Sequence, residues 1–253
     1  MKEDQIILID KPTGISSFGV VARVRARLRN KFGHKIKVGH TGTLDPFATG
    51  LLILLSGKMT KKSNEFLKLD KIYEATLKLG YTSTTGDPEG EIIKYPKSTK
   101  FTKIEEYKGK ISDFAAERAK RSDIISDLSH CEASEISEFC TLNDVKYVLK
   151  KFIGKIEQTP PRFSAIKING ERAYKLARKG QNFAIPKRQI EIYSIDILDY
   201  NYPELKIRVH CSSGTYIRTL AEDIGKALNT GAYLTALRRT KIGKYDIKDA
   251  SVL

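Results

Sequence analysis

The chain has 253 residues, 40% hydrophobic and 30% charged, enough to enclose a core as one large domain or two small ones. Its 45 Lys and Arg against 30 Asp and Glu leave a net charge of +15, which favours a polyanionic partner such as nucleic acid. The start "MKEDQIILIDKP" does not read as a secretory signal, the longest apolar run, "LLILL", is too short to span a bilayer, and three cysteines that cannot all pair suit a reduced cytoplasm.

In "SSFGVVARVRARLRNKF", Val20, Val21, Val24 and Leu28 recur at helical spacing, with Ser16 or Ser17 as N-cap. The other face is a row of arginines: Arg23, Arg25, Arg27 and Arg29. "GHTGTLDPFATG" follows, a loop whose lone acid, Asp45, is held out of helical geometry by Pro46. Gly39, Gly42 and Gly50 would let a backbone or ligand approach closely. Asp-Pro is also a common turn starter, so this loop reads either as a solvated turn or as a carboxylate presented to a substrate.

"LLILL" then predicts a buried strand. "KIYEATLKLG" predicts another, with Tyr73, Ala75, Leu77 and Leu79 on one face, and "TTGDPEGE" a turn. Residues 98–140 are charged and poor in large apolar side chains, with "AAERAKRSD" as a possible surface helix, and read as an excursion from the core. "LNDVKYVLKKFIG" returns to helical spacing through Leu142, Val145, Val148, Leu149 and Phe152.

Residues 162–188 hold eight basic residues against one acid, Glu171, with Phe163, Tyr174 and Phe183 interleaved. A solvated helix and loop would explain the charge. An RNA clamp hinged at Gly170 and Gly180 explains the aromatics as well, because bases stack on rings while cations meet phosphates. The last third reads strand, turn, helix: Leu205, Ile207, Val209 and Cys211 alternate, Ser212, Ser213 and Gly214 turn, and Ile217, Leu220, Ile224 and Leu228 mark a helix face. The fold class is α+β, a mixed and mainly antiparallel sheet flanked by helices and loops.

Arg218 falls in the first turn of that last helix, where the macrodipole disfavours a cation. Pairing with Glu222 at i,i+4 would return about 0.2–0.5 kcal/mol, no more than the dipole removes. A phosphate or the Asp45 carboxylate would be a better reason for an arginine here. His130, Cys131, Cys140, His210 and Cys211 form a pool of metal-ligand types without CxxC or HxxxH spacing, so no metal is expected. No complete phosphate loop, GxGxxG, GxSxG elbow or pair of glycosidase carboxylates is present.

Taken in order, "DKPTGISSFGVVARVR", "GHTGTLDPFATGLL", "KIYEATLKLG", "QTPPRFSAIKINGERAYKLARKG" and "HCSSGTYIRTLAEDIG…AYLTALRRTKIGKY" resemble the TruB family of bacterial tRNA pseudouridine-55 synthases across all but roughly 98–140. The resemblance implies a pseudouridine-synthase fold and isomerisation of a T-loop uridine without cofactor or metal. Asp45 matches the catalytic aspartate, Tyr73 the tyrosine that stacks on the base and serves a later proton removal, and Arg218 the arginine that pairs with the aspartate. Tyr216 accompanies Arg218, Leu237 matches an apolar pocket residue, and His40 matches the histidine that takes the flipped base's place. Lys11 of the opening motif and Arg162, Lys175, Arg178 and Lys179 of the basic segment are expected substrate contacts. Residues 162–188 match a mobile thumb that closes on the T-arm of tRNA; Phe163, where tyrosine is also common, keeps the apolar contact without the hydroxyl.

One catalytic domain over 1–253 is expected, with 98–140 as an insertion and no C-terminal PUA-type segment. The implied enzyme is a cytoplasmic monomer that needs no protein partner and no membrane. A non-catalytic RNA-binding module would explain the charge but not Asp45, Tyr73 and Arg218. A guide-directed synthase working inside a protein–RNA particle is the other alternative, against which the long basic segment argues.

Overall fold

A computed structural model describes residues 2–96, 140–168 and 170–253. The expected insertion, apart from Cys140, lies outside the described residues, as do His130 and Cys131.

Strand β1 (Ile6–Lys11) leads into helix α1 (Ser17–Phe32). Ser16 caps α1, its side chain accepting from Gly19 N, and Gly33 ends it in a left-handed conformation. Val20, Val21, Val24 and Leu28 are buried against Ile9, Val38, Leu52 and Leu54, as the spacing predicts. Strand β2 (Val38–His40) and strand β3 (Thr49–Ser56) bracket the Asp45 loop. β3 is buried on both faces: Leu52 and Leu54 lie under α1, while Leu51, Ile53 and Leu55 pack with Phe66 and Ile242. A 3-10 turn (Gly57–Lys62) and the short helix α2 (Ser63–Leu67) lead to strand β4 (Lys71–Leu79), which alternates as expected.

The hairpin β5 (Tyr81–Ser83) and β6 (Ile92–Lys94) follows, its turn carrying Asp87. Helix α3 (Leu142–Lys150) begins with a capping box between Thr141 and Asp144. It stops short of Phe152: Lys151 N and Phe152 N bond three residues back, to Val148 and Leu149, tightening the last turn before strand β7 (Gly154–Gln158). Residues 162–187 project as two short strands, β8 (Lys167–Ile168) and β9 (Glu171–Arg172), with helix α4 (Ala173–Arg178). Strand β10 (Arg188–Asn201), strand β11 (Glu204–Cys211), helix α5 (Ile217–Ala227) and strand β12 (Ala232–Ile242) follow, and then two short strands, β13 (Tyr245–Asp246) and β14 (Ser251–Val252).

The large sheet runs β14-β1-β3-β12-β4-β11-β10-β7, with β2 added to β3 and β13 to β12. It is mixed: β1–β14 and β3–β12 are parallel and the other pairs antiparallel. β12 sits between β3 and β4, so the late part of the chain joins the two early strands that flank the Asp45 loop and carry Tyr73. Leu77, Leu79, Leu205, Ile207 and Val209 on one sheet face form a core with Val145 and Leu149 of α3 and Leu220 and Ile224 of α5.

Candidate active site

The turn at Asp45 is fixed from three directions. Ser17 Oγ accepts from Leu44 N at 2.8 Å and donates to Leu44 O at 2.9 Å, so α1 begins directly against the loop. Lys11 Nζ donates to the carbonyls of Pro12, Ile15 and Pro46 at 2.8, 2.7 and 3.2 Å. Lys11 has no exposed surface. Expected from the resemblance to contact substrate, this buried ammonium is committed here to three carbonyls and pins the loop. Burial lowers its pKa to about 8, against the pull of Asp45.

From the third side comes Arg239, 1% exposed, whose Nε donates to Leu51 O at 2.8 Å and Nη2 to Gly42 O at 3.1 Å. Gly50 makes room for this strand: a Cβ there would stand 2.3 Å from Arg239 O. Its φ of +104° also favours glycine.

Asp45 stands beside Arg218, with Oδ2 3.2 Å from Nε. The same guanidinium donates through Nη1 to Asp87 Oδ2 at 2.9 Å and to Thr85 O at 3.0 Å, and through Nη2 to Phe163 O at 2.8 Å. Arg218 is therefore buried between two carboxylates, and its partners are not the helix neighbour Glu222. The two acids differ. The Asp87 side chain is 3% exposed and also takes Thr85 Oγ1 and Glu89 N, while that of Asp45 keeps 35% of its surface open. Asp87 is the structural counterion; Asp45 is the carboxylate a substrate can reach. Burial raises the Asp45 pKa, opposed first by Arg218, with Asp87 adding to the rise.

Tyr73 lies in the same apolar cluster as Leu44, Ala48 and Leu237, only 8% exposed. Arg239 faces it across the β4–β12 pairing, its guanidinium carbon 6.0 Å from the ring centroid. Burial raises the phenol's pKa, so it stays protonated at neutral pH. Leu237 stands opposite Ala75 one step along the same face. His40 is half-buried at the end of β2, its Nδ1 accepting from Gly42 N at 3.4 Å. Burial, Arg239 and Arg172 all lower its pKa and keep the ring neutral.

Tyr216 is held at the start of α5 by the buried Gln158, which bonds its N at 2.8 Å and its O at 3.0 Å. Its ring carries the Arg188 guanidinium at 4.5 Å. In the basic segment, Arg162 is tied to Gln181 O at 2.7 Å and lies over Phe183, and Lys179 pairs with Glu171 at 2.9 Å. These two hold the segment's own shape. Lys175 and Arg178 stay exposed, Arg178 over the Tyr174 ring.

Sequence reasoning missed Asp87, Arg239, Ser17 and Gln158 as site-building residues. "GDPEG" repeats the Asp-Pro of the Asp45 loop, and Arg239 alternates in phase with Leu237 in "ALRR"; both were signals available in the chain.

The family profile described as TruB family pseudouridylate synthase (N terminal domain) matches residues 29–131 and 126–217, and that described as tRNA pseudouridylate synthase B C-terminal domain matches residues 218–253. The chain belongs to the TruB pseudouridylate synthase family. It is 42% identical over 249 residues to tRNA pseudouridine synthase B of Phocaeicola vulgatus, covering 98% of this chain and 89% of that protein. It is 41% identical over 250 residues to the namesake of Flavobacterium johnsoniae, covering 98% and 92%. The fold is similar to that of a chain from an H/ACA RNP bound to a substrate RNA containing 2′-deoxyuridine (TM-score 0.60, 22% identity) and of one from a Cbf5-Nop10-Gar1 complex (TM-score 0.61, 24% identity). The TruB-family chain covers 99% of itself in both matches but spans only 51% and 52% of those longer chains.

Proposed function

We propose that this TruB-family chain converts uridine 55 in the T-loop of tRNA to pseudouridine, acting as one catalytic domain with residues 162–188 as an RNA-gripping thumb. The carrying observation is Asp45: a carboxylate 35% open and 3.2 Å from a buried arginine, in a loop pinned from three directions whose Leu44 shares an apolar cluster with the buried Tyr73. The names of its relatives support tRNA as the substrate.

The reaction breaks the bond from ribose C1′ to uracil N1 and makes one from C1′ to C5. The nucleotide must first leave the stack, at a cost of a few kcal/mol. Stacking on the Tyr73 ring, worth about 1–3 kcal/mol per base, offsets much of that. Leu237 lines the apolar side, and the neutral His40 can fill the gap left in the RNA. An ionised carboxylate beside the sugar can attack C1′, attack the base at C6 or remove a ribose proton. Each role needs charge in a shielded place, which Arg218 provides by opposing the rise that burial imposes. The Tyr73 phenol is neutral in the resting site, so loss of the C5 proton through it is a relay: its oxygen takes the C5 proton as its own hydroxyl proton passes to a neighbouring acceptor such as the Asp45 carboxylate.

Asp45→Asn should still bind tRNA, because affinity rests on Lys and Arg contacts to phosphates, yet release no tritium from tRNA labelled at uridine C5. Release near the wild-type rate would refute the assignment.

A further inference from the structure

Helix α1 leaves the catalytic turn at Ser17, the residue bonded to Leu44, and runs 16 residues, about 24 Å, away from it. The sheet face beneath it is continuous with the one bearing Tyr73. Leu52 and Leu54, which α1 covers, alternate in phase with Gly50; Gly50 stands opposite Arg239, and Arg239 opposite Tyr73. The exposed surface of α1 carries two rows of cations, Arg23, Arg27 and Lys31 on one flank of its buried stripe and Arg25 and Arg29 on the other, Arg25 also donating to Val38 O at 3.3 Å, and the helix contains no acidic residue.

Among the described residues none of these five has an ion pair. Arg23–Arg27, Arg25–Arg29 and Arg27–Lys31 are like-charge neighbours at i,i+4, an arrangement that weakens a helix and that a merely solvated face avoids by mixing signs. At the catalytic end of this surface the Phe18 ring is 65% exposed, with the Arg25 guanidinium 5.8 Å from its centroid. Cations in rows with an exposed ring at the mouth of the site match the chemistry of an RNA backbone.

We propose that the outward face of α1 is a second phosphate-docking surface, separate from the thumb, that holds the RNA strand flanking the nucleotide seated at Asp45. The inference rests on the substrate being RNA, as proposed above. Uniform positive charge on α1 is then explained by the anion it meets, and the surface acts on affinity, not on the chemical step.

The test uses the full chain with Arg23→Gln, Arg27→Gln and Arg29→Gln combined, glutamine keeping nearly the same helix propensity, and Arg27→Gln alone as the milder variant. Binding of unmodified tRNA is measured across salt concentrations, and the rate at saturating protein is measured separately. The triple variant should flatten the slope of log affinity against log salt by about 1 per arginine and leave the saturating rate unchanged; the single variant should flatten it by about 1. A control removes three charges from the opposite sheet face, Lys78→Gln, Lys155→Gln and Lys206→Gln, each flanking core-facing neighbours; its slope should match wild type. An unchanged slope in the α1 variants, as expected if the face meets a protein or only solvent, overturns the proposal, and so does an equal loss in the control. A wild-type chain that fails to form pseudouridine would instead refute the catalytic reading.

Discussion

Arg218 satisfies two acids at once, and the two respond differently to removal. Asp87 is as deeply buried as the arginine, so Asp87→Asn leaves a buried guanidinium with a weaker partner and an Asx turn with a poorer acceptor. About 3 kcal/mol of stability should be lost, the low end for breaking a buried pair because Asp45 remains. Urea unfolding would measure it, and a loss below about 1 kcal/mol would mean that Asp45 carries the arginine alone. Asp45 has the opposite sign. A carboxyl whose pKa is raised by folding binds its proton more tightly in the folded state, so its ionisation opposes folding above that pKa. Asp45→Asn should therefore unfold at the same or higher urea concentration at pH 7, and the difference should shrink as acid protonates Asp45 in the wild type. The same shift puts the acid limb of the pH–rate profile above 3.8, the ordinary carboxylate value. A limb at or below that value would contradict a desolvated catalytic acid.

At the scale of elements, α1, β4 and α5 were legible from one dominant apolar period and β3 from its unbroken apolar run, with Ser16 before α1 and Gly33 after it as punctuation and alternation along β4. Residues 162–188 were legible as a basic, aromatic segment but not in their internal wiring. Sequence cannot show that Arg162 reaches Gln181 or that Lys179 reaches Glu171. That wiring sharpens the expected contacts. Lys175→Gln with Arg178→Gln should flatten the salt dependence of tRNA binding by about 2, one for each phosphate contact. Arg162→Gln should act first on the segment's order, seen as faster proteolysis at residues 162–187, before any change in slope. The Phe163 carbonyl on Arg218 joins the start of the basic segment to the Asp45–Arg218 pair, a link invisible in the chain because its two ends come from separate elements.

At the scale of the molecule, the site was legible as a set of motifs but not as a topology. Nothing in "AYLTALRRTKIGKY" announces that β12 enters between β3 and β4, because strand order depends on which edges meet and not on local propensity. The contact that admits it is specific. Gly50→Ala would drive a methyl into the Arg239 backbone at a positive φ, so at least about 3 kcal/mol of stability should disappear together with activity. Near wild-type thermal unfolding of that variant would show that the β3–β12 junction can relax.

The position of β12 also sets a sequence of events at the ribosome. Asp45 and Tyr73 emerge well before α5 with Arg218 and β12 with Arg239. A nascent chain thus carries a carboxylate and a phenol without the two arginines that face them, and two strand edges awaiting the insert. Enzymatic competence arrives abruptly, when the late strand slots home.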